Sequence, residues 1–386
     1  MTIYIVTQSY YTNRDRKRYG VEYFASQGYL VVILDVQDYT NKELKSISRP
    51  NYILDDNVIV YECNNFSQIK DVLEMSSKGI AFLYLSDNYQ SITIKKYLRK
   101  INIKIGVVYE GMLPQSKTTT SNLQKINKKF RNLSLKIFLN LIYKKIYAKI
   151  FEIKYYDFLL TSNYEIALEN YSFPKPLKII PIHAFDYDLV LDNRETKNIS
   201  VNKYIVFLDQ YLLYHPDFER TNTKLNIDKD VYFEELNNYF DIVEKKSGYK
   251  IIIAAHPRAD LSEYKILFNN REVFIEKTVQ LVKYCEFTIT HYSTAINFAV
   301  IYKKPILFLT SNDLQNSSIT ESIQLFASTL NQPYVNISSL GKDYHLENLK
   351  IDLNRYENYK FKYIMKSDSQ VKNFESFDRL YLKDLK

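Results

Sequence analysis

The stretch FTITHYSTAINFAVIYKKPILFLT, residues 287–310, contains the pattern that decides the fold. A short apolar run leads into a polar turn at Ser293 and Thr294, and apolar side chains then recur at helical spacing up to Ile301. A second apolar run begins at Pro305. A strand, a turn, a helix and a second strand in this order are typical of a parallel sheet whose strands are connected by helices.

Apolar runs and amphipathic segments alternate in the same way through the rest of the chain. Helices are predicted over 66–77, 89–100 and 230–246, between runs that predict strands. Because the alternation stops and then restarts, we expect an α/β protein with two Rossmann-like domains facing a central cleft. The predicted strands are 2–8, 29–36, 79–86, 103–111 and 157–163 in the first domain, and 203–211, 249–256, 273–277, 287–291 and 305–311 in the second.

The length of 386 residues also favours two domains, because single hydrophobic cores stop growing below that size. The segment 186–202 is polar and has no strong periodicity, so we place the linker there. The expected division is an N-terminal domain over 1–190, a C-terminal domain over 200–370, and a final helix over 371–386 that packs back toward the first domain.

Several classes of protein are excluded by the composition. Neither GxxxxGK[ST] nor GxGxxG occurs, which argues against P-loop NTPases and ordinary dinucleotide-binding domains. The two cysteines, Cys63 and Cys285, lack metal-binding spacing and indicate a reducing compartment without a disulfide framework. The start, MTIYIVTQSYY, has no signal-peptide pattern, and no run of about 18 apolar residues predicts a transmembrane helix. We therefore expect a cytoplasmic protein.

The segment 117–151 carries nine Lys and Arg residues and no Asp or Glu, in a chain of net charge +8. Part of it, LSLKIFLNLIYKKIYAKIF, is amphipathic. One interpretation is a peripheral helix on the anionic inner face of a membrane, or a site for an anionic acceptor. The other is a solvated basic face above an ordinary core helix. Nucleic acid is not an expected partner, because no recognised nucleic-acid-binding module accompanies these charges.

The stretch YKIIIAAHPRAD, residues 249–260, ends a predicted strand with His256. Pro257 stops the strand ladder, and Arg258 follows it. The imidazole therefore lies at the carboxyl end of a strand, where ligands bind in such sheets, and it can carry a proton near neutral pH. The alternative is a histidine that only completes a turn.

Two further groups follow the strand at 203–211. Asp209 and Gln210 lie where this strand ends, and they either contact a ligand or cap the turn. His215, in a second His-Pro, lies farther along in a loop and is less directly placed. In the turn after the strand at 287–291, Ser293 and Thr294 could form a phosphate site, with hydroxyl groups beside a helix N-terminus, or could simply cap the helix.

In the first domain, the predicted strand at 103–111 ends with Glu110 and Gly111. The glycine, one of only seven, allows a tight turn or the close approach of a substrate. The carboxylate is a candidate general base, and the alternative is a solvated glutamate in a loop.

The order of these motifs resembles the bacterial sialyltransferase and polysialyltransferase families of GT-B architecture. Their pattern is an acidic-acidic-Gly motif, a His-Pro motif and a Ser-Ser or Ser-Thr motif. Here the motifs read Tyr109-Glu110-Gly111, His256-Pro257 and Ser293-Thr294, and Ser293 lies 37 positions after His256. Tyr109 replaces one acidic residue, which leaves Glu110 as the candidate carboxylate. The resemblance covers residues 100–310.

The resemblance implies an inverting glycosyltransferase that uses a CMP-activated nonulosonic or ulosonic acid. The first domain would bind the glycan or glycolipid acceptor, with Glu110 as the general base. The second would bind the CMP-sugar donor, with His256 assisting the departure of CMP. The predicted nucleotide site comprises Ser293, Thr294, Pro257, Arg258, Asp209, Gln210 and His291. No cofactor or metal ion is expected, because a phosphate monoester, whose second pKa is about 6, is already a good leaving group.

Two alternatives come from other functional classes. A teichoic-acid-type CDP-glycerol glycerophosphotransferase also resembles residues 249–310, although that family typically has Asp at the position of His291. A non-catalytic nucleotide-sugar-binding protein would bind CMP without hydrolysing or transferring a donor. Hydrolysis of a CMP-sugar, as opposed to CDP-glycerol, separates these hypotheses.

Overall fold

The structure is a computed structural model, and it describes residues 1–40, 51–75, 78–86, 88–114, 155–170, 176–214, 227–315, 317–339, 346, 349–366 and 370–383. The basic segment 117–151 and His215 lie outside the described residues. Among the described residues, no helix combines the length and apolar composition needed to span a membrane.

Parallel strands form one sheet in the first part of the chain. They are Thr2–Thr7 (β1), Leu30–Asp35 (β2), Val58–Glu62 (β3), Gly79–Tyr84 (β4), Lys104–Tyr109 (β5), Tyr156–Thr161 (β6) and Pro176–Pro181 (β7). The strand order is β3-β2-β1-β4-β5-β6-β7, and every neighbouring pair is parallel. The order changes direction between β1 and β4, as in a doubly wound Rossmann fold.

A second parallel sheet follows. Its strands are Tyr204–Leu208 (β8), Lys250–Ala255 (β9), Val273–Ile275 (β10), Thr288–Thr290 (β11), Ile306–Thr310 (β12) and Tyr334–Asn336 (β13). The order is β10-β9-β8-β11-β12-β13, with the change of direction between β8 and β11. The prediction of an α/β fold with two Rossmann-like domains is confirmed.

Helices connect the strands of both sheets. In the first part of the chain they are Asn13–Arg18 (α1), Val21–Ser26 (α2), Gln37–Thr40 (α3), Phe66–Met75 (α4), Tyr89–Lys100 (α5) and Tyr164–Asn170 (α6). They continue as Phe185–Asp192 (α7), Lys229–Ser247 (α8), Leu261–Leu267 (α9), Thr278–Tyr284 (α10), Ile296–Ile301 (α11), Ser318–Leu330 (α12), Leu353–Tyr359 (α13) and Asn373–Phe377 (α14). Short 3₁₀ or π turns occupy Asn312–Leu314, Lys360–Ile364 and Asp378–Leu382.

Helix α8 shows how local sequence sets the bounds of an element. Asp228 precedes it and accepts hydrogen bonds from the N–H groups of Asp230 and Val231. Gly248 ends it in the left-handed region, with φ at +74°, and donates its N–H to the carbonyl of Glu244. An aspartate N-cap and a glycine C-cap are the usual solutions for the unpaired groups at helix ends.

Apolar side chains cover both faces of the first sheet. Successive residues of β1 point to opposite faces, so Ile3 and Tyr4 begin two separate core clusters. The cluster around Ile3 includes Phe374 and Phe377, which belong to α14 near the end of the chain. Phe377 lies 5.0 Å from the ring of Phe82, centroid to centroid.

The chain divides into two compact units. The described residues up to Glu110, those from 155 to Ile182 and those from Val371 onward form the first unit, and His183–Gln370 and residues 111–114 form the second. The boundary lies before the segment 186–202 that the sequence predicts as the linker, and residues 185–192 of the second unit are helical. The first sheet lies in the first unit and the second sheet in the second, and we call these units the first and second domains.

Candidate functional site

In the second domain, three strand ends carry the predicted nucleotide-site residues. Strand β8 lies between β9 and β11, and both pairs are parallel, so all three carboxyl ends lie at one edge of the sheet. Asp209 and Gln210 follow β8, His256 follows β9, and Ser293 and Thr294 follow β11. The edge includes the switch point between β8 and β11, where open α/β sheets bind ligands. The topology therefore brings the residues of three separate motifs to one edge.

The His256 side chain is held in a defined orientation. The backbone N–H of Arg258 donates to Nδ1 of His256 at 3.2 Å, so the neutral ring carries its hydrogen on Nε2. The imidazole stacks on the ring of Tyr211, with centroids 5.3 Å apart and planes at 11°. The side chain is half-buried. His256 therefore presents an N–H donor from Nε2, which suits a contact with a phosphate oxygen.

Asp209 ties the end of β8 to the end of β9. Its Oδ2 accepts the backbone N–H of His256 at 3.3 Å, and its Oδ1 accepts the N–H of Tyr211 at 3.1 Å. The Tyr264 hydroxyl is a further hydrogen-bond partner of this carboxyl group. Burial raises the pKa of Asp209 to about 6, although these hydrogen bonds favour the ionised form. Asp209 therefore fixes the position of the backbone at His256.

Gln210 links β8 to the turn after β11. Its Oε1 accepts the backbone N–H of Tyr292 at 2.8 Å. This contact fixes the start of the turn that presents Ser293 and Thr294.

The Ser293-Thr294 turn differs in detail from the sequence expectation. Helix α11 begins at Ile296 with Ala295 as its N-cap, and Ser293 Oγ accepts the N–H of Ala295 at 3.2 Å. The N–H groups of Ile296, Asn297 and Phe298 donate to carbonyls of residues 293, 294 and 295. These N–H groups are therefore used within the turn, and a phosphate would meet the hydroxyl groups of Ser293 and Thr294. The Thr294 side chain makes no hydrogen bond to the described residues and is exposed.

His291 is buried, whereas a side chain that contacts a nucleotide must be accessible to it. Its Nδ1 donates to the carbonyl of Leu309, and the Tyr232 hydroxyl donates to its Nε2, both at 2.8 Å. The residue is 1% exposed, and burial lowers the pKa of His291 to about 4. Both ring nitrogens are thus used inside the domain, so we assign the His291 side chain to the framework. By contrast, Pro257 and Arg258 are exposed beside His256.

Glu110 lies in the first domain, directly after β5. Arg18, the last residue of α1, donates from Nε to Glu110 Oε1 at 2.7 Å. The Glu110 side chain is 5% exposed, whereas the Arg18 side chain is 39% exposed. Burial lowers the pKa of Arg18, but the Glu110 carboxylate and the neighbouring phenols raise it to above its ordinary value. The carboxylate is therefore buried next to a permanent positive charge.

Two tyrosines surround this ion pair. Tyr84, at the end of β4, stacks on Tyr19 with ring centroids 3.9 Å apart. The Tyr84 hydroxyl is buried and has no hydrogen-bond partner among the described residues. Burial and, after it, the charge of Glu110 raise the pKa of Tyr84 well above 10, so this phenol stays protonated. Gly111, which follows Glu110, has φ at +69°, the left-handed conformation that a glycine accepts without strain.

Of each of two acidic pairs that a sequence search for metal sites would notice, one member has a structural role. Asp186 and Asp188 form an Asp-x-Asp sequence in α7, and Asp186 accepts a hydrogen bond from Asn297 at 2.7 Å. Asp228 and Asp230 form another, and Asp228 is the N-cap of α8. Among the described residues, no group of three His, Cys, Asp or Glu side chains is arranged to hold a metal ion.

Sequence reasoning missed Arg18 and Tyr211. Arg18 belongs to NRDRKR, which has the appearance of an ordinary solvated helix. Tyr211 follows Asp209-Gln210 directly, but the sequence contains 36 tyrosines and no motif distinguishes Tyr211 from the others. Its only local signal is its position just past a strand end.

No protein-family model matches the sequence, and no curated protein matches it. The structure is similar to that of the glycotransferase of kitacinnamycin, with a TM-score of 0.52, 8% identity, and coverage of 94% of each chain. It is also similar to a variant of the wall teichoic acid polymerase TagF, with a TM-score of 0.50 and 13% identity over 100% of this chain and 88% of that chain. At these identities the likeness shows the fold, and the chain has the GT-B fold of glycosyltransferases.

Proposed function

We propose that this chain is an inverting glycosyltransferase that moves a sialic-acid-like sugar, a nonulosonic or ulosonic acid, from a CMP donor to a surface glycan or glycolipid acceptor. The observation that carries the proposal is the convergence of His256, Ser293 and Thr294 at the switch-point edge of the second sheet. Strands β9 and β11 are two strand spacings apart, about 10 Å. A histidine and a serine side chain with a phosphate between them can span that distance.

In this proposal the second domain handles the leaving group. The bond between the anomeric carbon of the sugar and the phosphate oxygen breaks, and its electron pair stays on CMP. The Nε2–H of His256 and the hydroxyls of Ser293 and Thr294 donate hydrogen bonds to the phosphate as its charge grows. Charge-assisted hydrogen bonds of this kind are worth about 1.5–3 kcal/mol each.

Glu110 is the proposed general base. It would accept the proton of the acceptor hydroxyl as that oxygen bonds to the anomeric carbon, and a positioned base contributes typically ~10²–10⁴-fold. Arg18 holds the carboxylate ionised, which a base requires. The Glu110→Gln variant keeps size and polarity but cannot accept the proton, so it should lose most transfer while its CMP affinity stays unchanged. Glu165→Gln, an exposed glutamate in the same domain, is the matched control.

The alternative donor is CDP-glycerol, as in a teichoic-acid-type glycerophosphotransferase. The structural likeness to TagF is compatible with this alternative, but the likeness concerns the fold alone. Both donors carry a cytidine nucleotide, so both hypotheses predict the same second-domain site. They differ in the group that is transferred.

The donor experiment decides between them. Thermal shifts with CMP, CDP, UDP and GDP should show a preference for cytidine nucleotides, and CMP-N-acetylneuraminate should be hydrolysed faster than CDP-glycerol. Preferential turnover of CDP-glycerol would replace the proposal by the alternative. CMP binding without turnover of either donor would favour a non-catalytic binding protein, and a preference for UDP or GDP would reject all three hypotheses.

We also propose that segment 117–151 holds the enzyme at an anionic membrane surface. Nine cations without an acid beside an aliphatic and aromatic stripe support this. The protein should float with liposomes that contain anionic lipid and remain unbound with neutral liposomes, and high salt should release it. Equal recovery under all three conditions would reject membrane binding.

A further inference from the structure

Tyr211 has an unusual backbone conformation beside His256. Its φ is +59°, in the left-handed region that glycine adopts readily and a bulky residue adopts rarely. Such strain persists only where the surroundings enforce it, and it is frequent at functional sites. Here the enforcing contacts are visible, because Asp209 accepts the N–H of Tyr211 at 3.1 Å and the N–H of Tyr214 donates to the Tyr211 carbonyl at 3.0 Å.

This conformation places the Tyr211 ring against the imidazole of His256. The two planes differ by only 11°, and the centroids are 5.3 Å apart, within the range of stacked aromatic pairs. On the tyrosine side, the rings of Tyr214 and Tyr264 lie 5.1 and 6.1 Å from Tyr211. The imidazole therefore rests on one member of a cluster of aromatic rings.

Asp209 connects both halves of this stack. One carboxylate oxygen accepts the N–H of Tyr211 and the other accepts the N–H of His256. Tyr264, 2% exposed, also hydrogen-bonds this carboxyl group. A single side chain thus sets the backbone positions of the two residues whose rings stack.

We propose that Tyr211 and Asp209 are positioning residues for His256: they hold its ring in the plane in which Nδ1 accepts the N–H of Arg258, so that Nε2–H is ready for the phosphate of the donor. The role in catalysis rests on the proposed function, but the support of the imidazole does not. Neither residue needs to touch the nucleotide for this role.

The Tyr211 ring should also affect the protonation of the His256 imidazole. Asp209, Glu263, Arg258 and the phenols of Tyr214 and Tyr264 lie around the Tyr211 ring. The face of Tyr211 favours the imidazolium form through a cation–π contact. Loss of the ring should therefore lower the NMR titration midpoint of His256 by about half a unit, the equivalent of an exposed cation–π contact.

The test uses the full chain with ¹³C,¹⁵N-labelled histidine, whose five imidazole signals are assigned with a His256→Gln variant. Tyr211→Phe keeps the stack. Tyr211→Asn and Tyr211→Gly remove the ring but accept the left-handed backbone without strain, so they separate the ring from the loop conformation. If one of the latter pair unfolds, the other still gives the answer. Each variant is measured for the His256 tautomer, the His256 titration midpoint and the affinity for CMP.

We expect Tyr211→Phe to match the wild type in all three measurements. Tyr211→Asn and Tyr211→Gly should lower the midpoint, mix the two tautomers and weaken CMP binding about 3- to 10-fold, while the melting temperature stays within a few degrees. An unchanged tautomer and midpoint in both ring-free variants would overturn the proposal. If the NMR changes appear but the wild type does not bind CMP, the positioning role stands and the proposed function fails.

Discussion

Arg18 and Glu110 form an ion pair in the first domain, with Arg18 Nε 2.7 Å from Glu110 Oε1 across 92 positions of sequence. The carboxylate is buried, while the guanidinium is about two-fifths exposed. Of the three side-chain nitrogens of Arg18, only Nε donates a hydrogen bond among the described residues. The pair favours the ionised carboxylate, and in the proposed function it would set the pH range in which Glu110 acts as the base.

Replacing Arg18 by Gln should therefore shift the acidic limb of the pH–rate profile for transfer to higher pH, by about one pH unit or more. Without the guanidinium, the buried carboxylate is more easily protonated, and the base is lost at a higher pH. Because Arg18 is partly exposed, unfolding free energy should fall by only about 1–2 kcal/mol. Arg16→Gln on the same helix, which breaks an ion pair with Asp55, is the control and should leave the acid side unchanged. If the two variants give the same profile, the ion pair does not govern the base.

The Ser293→Ala/Thr294→Ala double variant should weaken CMP binding by about 100-fold or more, because two hydroxyl donors to the phosphate are lost. The helix after the turn should persist, since Ala295 is its N-cap and uses no side-chain cap. Isothermal titration measures the affinity. The adjacent pair Ser328 and Thr329 in α12 provides a matched Ser-Thr control. Equal CMP affinity in the two double variants would remove the phosphate site from this turn.

The pH dependence of stability should show two opposing contributions from the second domain. His291 has a pKa lowered by burial from 6.5 to about 4, so its contribution is present above pH 6.5 and is lost as pH falls toward 4. Asp209 has a pKa raised by burial from 3.8 to about 6, so its contribution is present below pH 3.8 and is lost as pH rises through 6. Each amounts to roughly 3 kcal/mol, and between pH 4 and 6 the two largely cancel.

Single substitutions should expose each contribution. The stability difference between wild type and His291→Gln should shrink as pH falls from 6.5 to 4, because only the wild type loses the His291 contribution. The difference between wild type and Asp209→Asn should grow as pH falls from 6 toward 3.8. Urea unfolding at a series of pH values measures both differences. Parallel pH curves for wild type and a variant would contradict the assignment of that residue.

Gly20 should tolerate a side chain less well than Gly28 does. Both have a left-handed backbone, with φ at +69° and +76°. A Cβ on Gly20 would lie 2.3 Å from the Phe374 ring, whereas a Cβ on Gly28 meets no atom within 4 Å. Gly28→Ala should cost about 1–2 kcal/mol in backbone strain, and Gly20→Ala should cost about 1–3 kcal/mol more because it overlaps Phe374. Urea unfolding compares them, and equal costs would mean that Phe374 moves aside without loss.

The sequence alone determined the two-domain α/β fold, because buried parallel strands are local apolar runs bounded by turn residues. The run from Ile251 to Ala255 before His256-Pro257 is such a case, and it ends within one residue of the predicted position. Strands β3, β7 and β13 were not predicted. All three lie at sheet edges, where side chains such as Ile59, Leu177 and Tyr334 face solvent and the continuous apolar pattern is lost.

Only the tertiary structure decided how the candidate site is assembled. The Arg18–Glu110 pair and the stack of Tyr211 on His256 join residues that no local pattern relates. The sequence position of His291 suggests a residue that contacts a ligand. In the structure, however, its two ring nitrogens hydrogen-bond the carbonyl of Leu309 and the hydroxyl of Tyr232. The physical reason is that strand order sets these partners. Apolar periodicity places each residue at a strand end, but the packing of parallel strands side by side determines which strand ends become neighbours.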